Sequence, residues 1–180
     1  MASAVSSFAE EPAAAKSLSP QTQEAVRLLA SQDSYEREKG FLRLEALREP
    51  AALDSIRPFL DSQDPEMRAA SLRAVAAIAG AQSSPVLLKA LDDRDAAVRR
   101  AALLGLEPFQ AQDKTILPAF IKALTDRSVE VRMTSVDAVS RFDSPEARAA
   151  IRERYKEELH PDVRKVLKMA MQRIDSADGR

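Results

Sequence analysis

The chain has no cysteine, no tryptophan and a single histidine in 180 residues. Without thiols, disulfide scaffolds, cysteine-ligated zinc, iron–sulfur clusters and thiol nucleophiles are all excluded. His160 is followed by Pro161 and has no second histidine to join it, so it makes a poor metal ligand or general base. The four glycines, Gly40, Gly80, Gly105 and Gly179, stand singly, and no glycine-rich loop is available to cradle a phosphate. Aromatics amount to 4%, a composition that favours helices over sheets. No apolar run approaches the roughly 18 residues of a membrane-spanning helix. Nor is there an excess of charge: 27 Lys and Arg against 28 Asp and Glu leave a formal net charge of −1, and nothing global attracts a polyanion.

The first residues, MASAVSSFAEEPAAAK, lack a basic start, and Glu10, Glu11 and Pro12 interrupt any apolar stretch. They resemble neither a secretory signal nor a mitochondrial transit peptide. The expectation is a cytoplasmic chain with three parts: a disordered tail over residues 1–19, a folded domain over 20–175, and a short tail over 176–180.

What is present in abundance is repetition. Arg37, Arg68, Arg99, Arg132 and Arg164 recur at steps of 31, 31, 33 and 32 residues. Their surroundings recur with them, as in LDSQDPEMRAASLRAV (60–75), LDDRDAAVRRAALLGL (91–106) and LTDRSVEVRMTSVDAV (124–139). Self-similarity at this period marks a solenoid, whose units bury their apolar faces only against their neighbours. Each unit reads as two helices. The first ends near Leu29, Leu60, Leu91 or Leu124; after a polar turn the second carries the recurring arginine in its first turn. Asp33, Asp64, Asp95 and Ser128 stand four residues before an arginine, where an N-cap is needed. Pro65 and Pro161 sit at the first helical position, and Ser84–Pro85 and Ser144–Pro145 are read as opening two of the first helices.

Counted from each arginine, offsets −1, +3, +7 and +10 are apolar or small and share one helical face: Met67, Ser71, Val75 and Ile78; Val98, Ala102, Leu106 and Phe109; Val131, Ser135, Val139 and Phe142. The small residue at +3 predicts a close approach of the paired helix. The terminal repeats are polar on the edge that would face a missing neighbour, with Glu36 and Arg43 at one end and Lys168 at the other. Such edges suit capping units, so the array is expected to begin and end within this chain, as a monomer.

The pattern of a Leu-x-Asp turn, an Asp–Pro cap and Val–Arg followed by small and apolar residues resembles HEAT repeats. It is clearest at Asp61, Asp64, Pro65 and Arg68; at Asp92, Asp95, Val98 and Arg99; at Asp126, Val131 and Arg132; and at Pro161, Val163 and Arg164. The resemblance spans residues 20 to 175 and implies an all-α, right-handed α-solenoid of about five helix pairs. It also implies a protein-binding scaffold or adaptor. A fold of this kind hosts other activities too; some relatives resemble phycobilin lyase subunits or DNA glycosylases, but no diagnostic residue for either stands here.

Two surfaces compete for function. The recurring arginines could bind phosphates, yet acids such as Asp61, Asp92, Asp93 and Asp126 recur in register with them, and pairing between repeats is the expected use. Offsets +1, +5 and +8 lie opposite the buried stripe and should line the inner curve. There Leu42, Leu104, Met133 and Met169 are larger and more apolar than a solvated face needs, and Arg73 and Arg100 accompany them. These six residues are the candidate contacts for a partner protein or peptide. The alternative is nucleic-acid or phosphate-backbone binding by the basic stretch Arg148, Arg152, Arg154, Lys156, Arg164, Lys165, Lys168 and Arg173. No catalytic residue, cofactor or metal is expected.

Overall fold

Why the second helices start where they do is a matter of capping. In the computed structural model, which describes residues 18–113 and 115–178, Asp33, Asp64 and Asp95 accept from the N–H groups of Tyr35, Glu66 and Ala97 at 2.8–2.9 Å. Ser128 accepts from Val131 at 3.4 Å. Each cap satisfies one of the amides that a helix N-terminus leaves without a partner. The second helices that follow are α2 (Ser34–Leu47), α4 (Pro65–Ala79), α6 (Ala96–Leu106), α8 (Val129–Val139) and α10 (Pro161–Asp178). The first helices are α1 (Pro20–Leu29), α3 (Leu53–Ile56), α5 (Ser84–Ala90), α7 (Ile116–Ala123) and α9 (Pro145–Glu157). Helix makes up 78% of the described residues. Of the predicted tails, 1–17 and 179–180 lie outside the described residues; Leu18 and Ser19 lie within them, Ser19 capping α1 through Thr22 N–H at 3.2 Å, and 176–178, expected in the C-terminal tail, instead continue α10.

Three local readings need correction, each for a backbone reason. Ser144 caps α9 as expected, through Ala147 N–H at 3.2 Å, but Ser84 is the first residue of α5 and caps nothing. There the chain leaves α4 through Gly80 and makes a 3₁₀ turn over Gly80–Ser83 that runs directly into α5. Gly80 sits at φ +56°, where a Cβ would be strained. Phe109 and Phe142 lie beyond the ends of α6 and α8 and do not continue their stripes. Pro108, with no N–H to offer, turns Glu107–Phe109 into a 3₁₀ segment. Both rings still pack against the core, Phe142 edge-on to Phe120 with centroids 6.1 Å apart. In the second repeat Pro58 breaks the first helix in the same way, leaving only the single turn of α3 between 3₁₀ pieces at Pro50–Ala52 and Arg57–Asp61.

Successive second helices pack on one another more extensively than successive first helices do. The second helices are therefore the more closely spaced row and line the inner curve of the array. The −1 and +3 positions are buried as their spacing predicts, with Ser71 and Ser135 fully enclosed and donating back to the Arg68 and Arg132 carbonyls at 2.8 and 2.9 Å. Val98, Leu103, Leu106, Ile116, Phe120, Val136, Ile151 and Leu167 belong to one apolar cluster through repeats three to five. Ala25, Phe41, Leu44, Ile56, Met67 and Ala74 belong to a second, through repeats one and two. α4 divides them, giving Met67, Ala70 and Ala74 to the second cluster and Ala69 and Leu72 to the first.

The small +3 residue of the first repeat is Gly40. A Cβ built there would lie 2.9 Å from the Ala25 carbonyl oxygen and 3.0 Å from Leu28 Cβ, so α1 and α2 touch at a point with room for hydrogen only. Gly40→Ala would gain about 1 kcal/mol of helix propensity. It is nevertheless expected to lower stability by roughly 1–3 kcal/mol, because backbone must move to admit the methyl group. Urea unfolding checks this, and a stabilised variant would show that the two helices separate freely.

Candidate functional site

Each recurring arginine reaches in two directions. One nitrogen, Nη1, turns back to the carbonyls that end its own inter-helix turn: Arg37 to Ser31 and Gln32, Arg68 to Ser62 and Gln63, Arg99 to Asp93, Arg132 to Asp126 and Arg127. The other edge, Nε and Nη2, forks onto a carboxylate of the next repeat. Arg68 takes Asp93 at 2.9 and 2.8 Å, Arg99 takes Asp126 at 2.7 Å twice, and Arg132 takes Glu158 at 2.9 and 3.3 Å. Bidentate pairing of this kind needs a planar guanidinium. The receiving acid also accepts a backbone N–H two residues on, from Asp95, Ser128 or His160, which fixes it in its own turn.

The partners are Asp93 and Asp126, as expected, together with Glu158; Asp92 instead accepts from Lys122 at 2.6 Å, and Asp61, also expected in the ladder, is exposed with no cation in salt-bridge range among the described residues. The rule is positional: every partner stands six residues before the next arginine. In the second repeat that place is held by Ser62, too short to receive a fork. Arg37 accordingly meets Asp64 only at 3.8 Å and sends its Nε to Met67 Sδ. Arg164 has no described repeat beyond it. It donates to the Tyr155 and Glu158 carbonyls and lies over the Tyr155 ring, 4.5 Å from its centroid.

Burial alone would raise the Glu158 carboxyl. The His160 N–H and the guanidinium groups of Arg154 and Arg132 outweigh it and bring the group down to about 2. Asp93 and Asp126 are lowered likewise, against their own burial, by Arg68 and Arg99 and by the amides of Asp95 and Ser128. Two grooves open along this edge, about 640 Å³ between repeats three and four and about 580 Å³ between repeats two and three. Arg99 and Arg68 line them but are already engaged by Asp126 and Asp93.

Much of the basic C-terminal stretch is also paired. Arg148 meets Asp143, Arg152 meets Asp175 at 2.8 Å, Arg154 meets Glu158 at 2.6 Å, Lys156 meets Glu153 at 2.7 Å and Arg173 meets Asp137 at 3.4 Å. Lys165 and Lys168 are exposed, with no carboxylate in salt-bridge range among the described residues.

The six candidate contacts fall on successive second helices: Leu42 on α2, Arg73 on α4, Arg100 and Leu104 on α6, Met133 on α8 and Met169 on α10. Leu42, Leu104 and Met169 are 52%, 42% and 54% exposed, too much for side chains of this size to be serving the core. Met133 is half-buried against the core, and Arg100 is exposed. Arg73 is tied to Glu45 at 3.4 Å. That pair belongs to a second set of bridges along the inner face, which the sequence reading missed. Arg141 joins Glu107 at 3.6 Å and Asp137 at 2.6 Å, and Arg173 reaches Asp137 from α10. Burial raises Glu45 and Glu107, and Arg73 and Arg141 counter this in part. Acids at offset +8 (Glu45, Glu107) or +5 (Asp137) with bases in the next repeat were the available signal.

Arg99→Ala strands the half-buried Asp126 and is expected to cost about 3 kcal/mol, whereas Arg37→Ala should cost under about 1 kcal/mol. Chemical denaturation of the two variants tests the contrast, which equal losses would contradict. Because folding lowers the Glu158 pKa, its contribution is complete above the ordinary value of 4.5 and is lost as pH falls toward about 2. The fall in melting temperature over that window should therefore be shallower in Glu158→Gln than in the wild type.

Among curated proteins, no sequence matches the chain. Solved structures do. A chain of the complex of CpcE and CpcF of phycocyanin lyase from Nostoc sp. PCC7120 is 25% identical, with a TM-score of 0.65 over 94% of this chain and 70% of that one. Cex1p is 16% identical, with a TM-score of 0.67 over 86% of this chain and 35% of that one. A designed armadillo repeat protein in complex with the peptide (KR)4 is 16% identical, with a TM-score of 0.56 over 83% of this chain and 80% of that one. The last two likenesses concern the fold alone. The family model for HEAT repeats matches residues 22–107 and again 84–172, and with its capped second helices and arginine forks the chain belongs to the HEAT-repeat family.

Proposed function

We propose that this chain is a non-catalytic interaction module that receives a partner protein or peptide along the inner curve of its second helices. The observation that carries this reading is the run of exposed apolar side chains Leu42, Leu104 and Met169 on the face lined by the closely packed helices. Solenoids bind along extended concave surfaces. Because these groups are already about half covered, burying the rest would favour binding by roughly 1 kcal/mol each before ordering costs. The bridges Glu45–Arg73, Glu107–Arg141 and Asp137–Arg173 hold the charged neighbours in place, which suits them to orientation more than to affinity.

Leu104→Asp with Met169→Asp changes two exposed positions and should leave the circular-dichroism spectrum and melting temperature close to wild type. Loss of a salt-resistant protein partner captured by the wild type is expected. Retention of that partner by the folded double variant would overturn the reading.

A second reading is favoured by the 25% identity to a chain of the phycocyanin lyase complex: one subunit of a two-chain lyase that acts on a phycocyanin-like protein. It predicts capture of a second chain together with a pigment protein, and a visible absorption band in the eluate.

A further inference from the structure

The +1 position of the second helices carries Glu38, Arg100, Met133 and Lys165 in repeats one, three, four and five, but Ala69 in repeat two. The missing side chain leaves a notch of about 390 Å³ on the inner face, across the first turns of α2, α4 and α6. Its lining is of two kinds. Met67, Ala69 and Ala70 are buried and, with Ala97, make a smooth apolar surface. Tyr35, 69% exposed, stands at the lining with the carboxylates of Glu38 and Glu66. Among the described residues neither carboxylate has a cation in salt-bridge range, although most acids on this face and along the turns do. Arg73 also lines the notch, but its charge is met by Glu45.

We propose that this notch is a subsite for one basic side chain, arginine or lysine, of the protein that docks on the inner curve; the assignment rests on the reading of that curve as the docking face. The charge and shape are complementary. A cationic side chain is an apolar stem of three or four methylenes with a charged end. The alanine surface takes the stem, while Glu38 and Glu66 receive the head beside Tyr35. An acidic side chain would meet two carboxylates, and a large apolar one would bury them unpaired.

The test uses small probes, so it does not depend on capturing the natural partner. Amide chemical shifts of the full chain are followed by NMR during titration with N-acetyl-arginine methylamide, N-acetyl-lysine methylamide and N-acetyl-glutamate methylamide. The two basic probes are expected to shift amides around Tyr35, Glu38, Glu66, Ala69 and Ala97, and the acidic probe to leave them still. Glu38→Gln with Glu66→Gln, two surface changes, should weaken the basic probes at least roughly fivefold. Ala69→Arg should abolish the shifts by filling the notch. Shifts spread evenly over the acidic surface, or unchanged in the Gln variant, would overturn the subsite. Should the Gln variant lose the probes while the Leu104/Met169 variant keeps its partner, the subsite stands and the apolar stripe is not the docking face.

Discussion

A single side chain, repeated, holds this array together. All five arginines close their own turn with one nitrogen, and Arg68, Arg99 and Arg132 also grip the next repeat with the opposite edge of the same plane. Neither task alone needs an arginine; both together do, because only a rigid fork presents donors in two directions at once. The apolar stripes could slide along one another by small amounts at little cost. A bidentate pair at 2.7 Å cannot, and so Arg99 and Asp126 set the register that the hydrophobic contacts then fill. The acid is fixed in turn by a backbone amide, so rotation between adjacent repeats is determined at the turn edge.

The division of labour between the two edges of the second helices follows. Charge near their N-termini is consumed by cohesion, and the grooves there are lined by guanidinium groups already occupied. The inner face is less committed. Its bridges are longer, at 3.4–3.6 Å between helices, and more exposed, and they alternate with leucine and methionine. The basic character of the last repeat dissolves on inspection into local pairs, with Lys165 and Lys168 remaining.

The repeat, the caps and the buried stripe were legible in the sequence because each depends on residues at fixed short spacings. Asp33, Asp64, Asp95 and Ser128 could be assigned from their distance to an arginine alone. The failures had a different origin. Phe109 and Phe142 satisfied the helical period, but Pro108 and the early end of α8 changed the backbone beneath it. The identity of Glu158 as a ladder partner was hidden because a glutamate reaches the place where aspartates stand in the other turns. The notch beside Ala69 is an absence of side chain, visible in the alignment of repeats yet meaningful only once neighbouring helices are placed around it.

Ser62 is a small substitution in the ladder, one hydroxyl where later repeats carry a carboxylate, and it falls at the boundary between repeats one and two. The apolar core is also divided nearby, along α4. Cohesion is thus uneven along the array: three tight clasps tie repeats two to five, and a loose one holds the first. In a chain whose units touch only their neighbours, unfolding starts where the nearest-neighbour coupling is weakest. The first helix pair is the natural end from which this protein frays, and Leu42 and Tyr35 travel with it. A partner laid across repeats one and two would therefore act as the clasp that Ser62 omits, so that occupancy of the inner face and integrity of the N-terminal repeat rise and fall together.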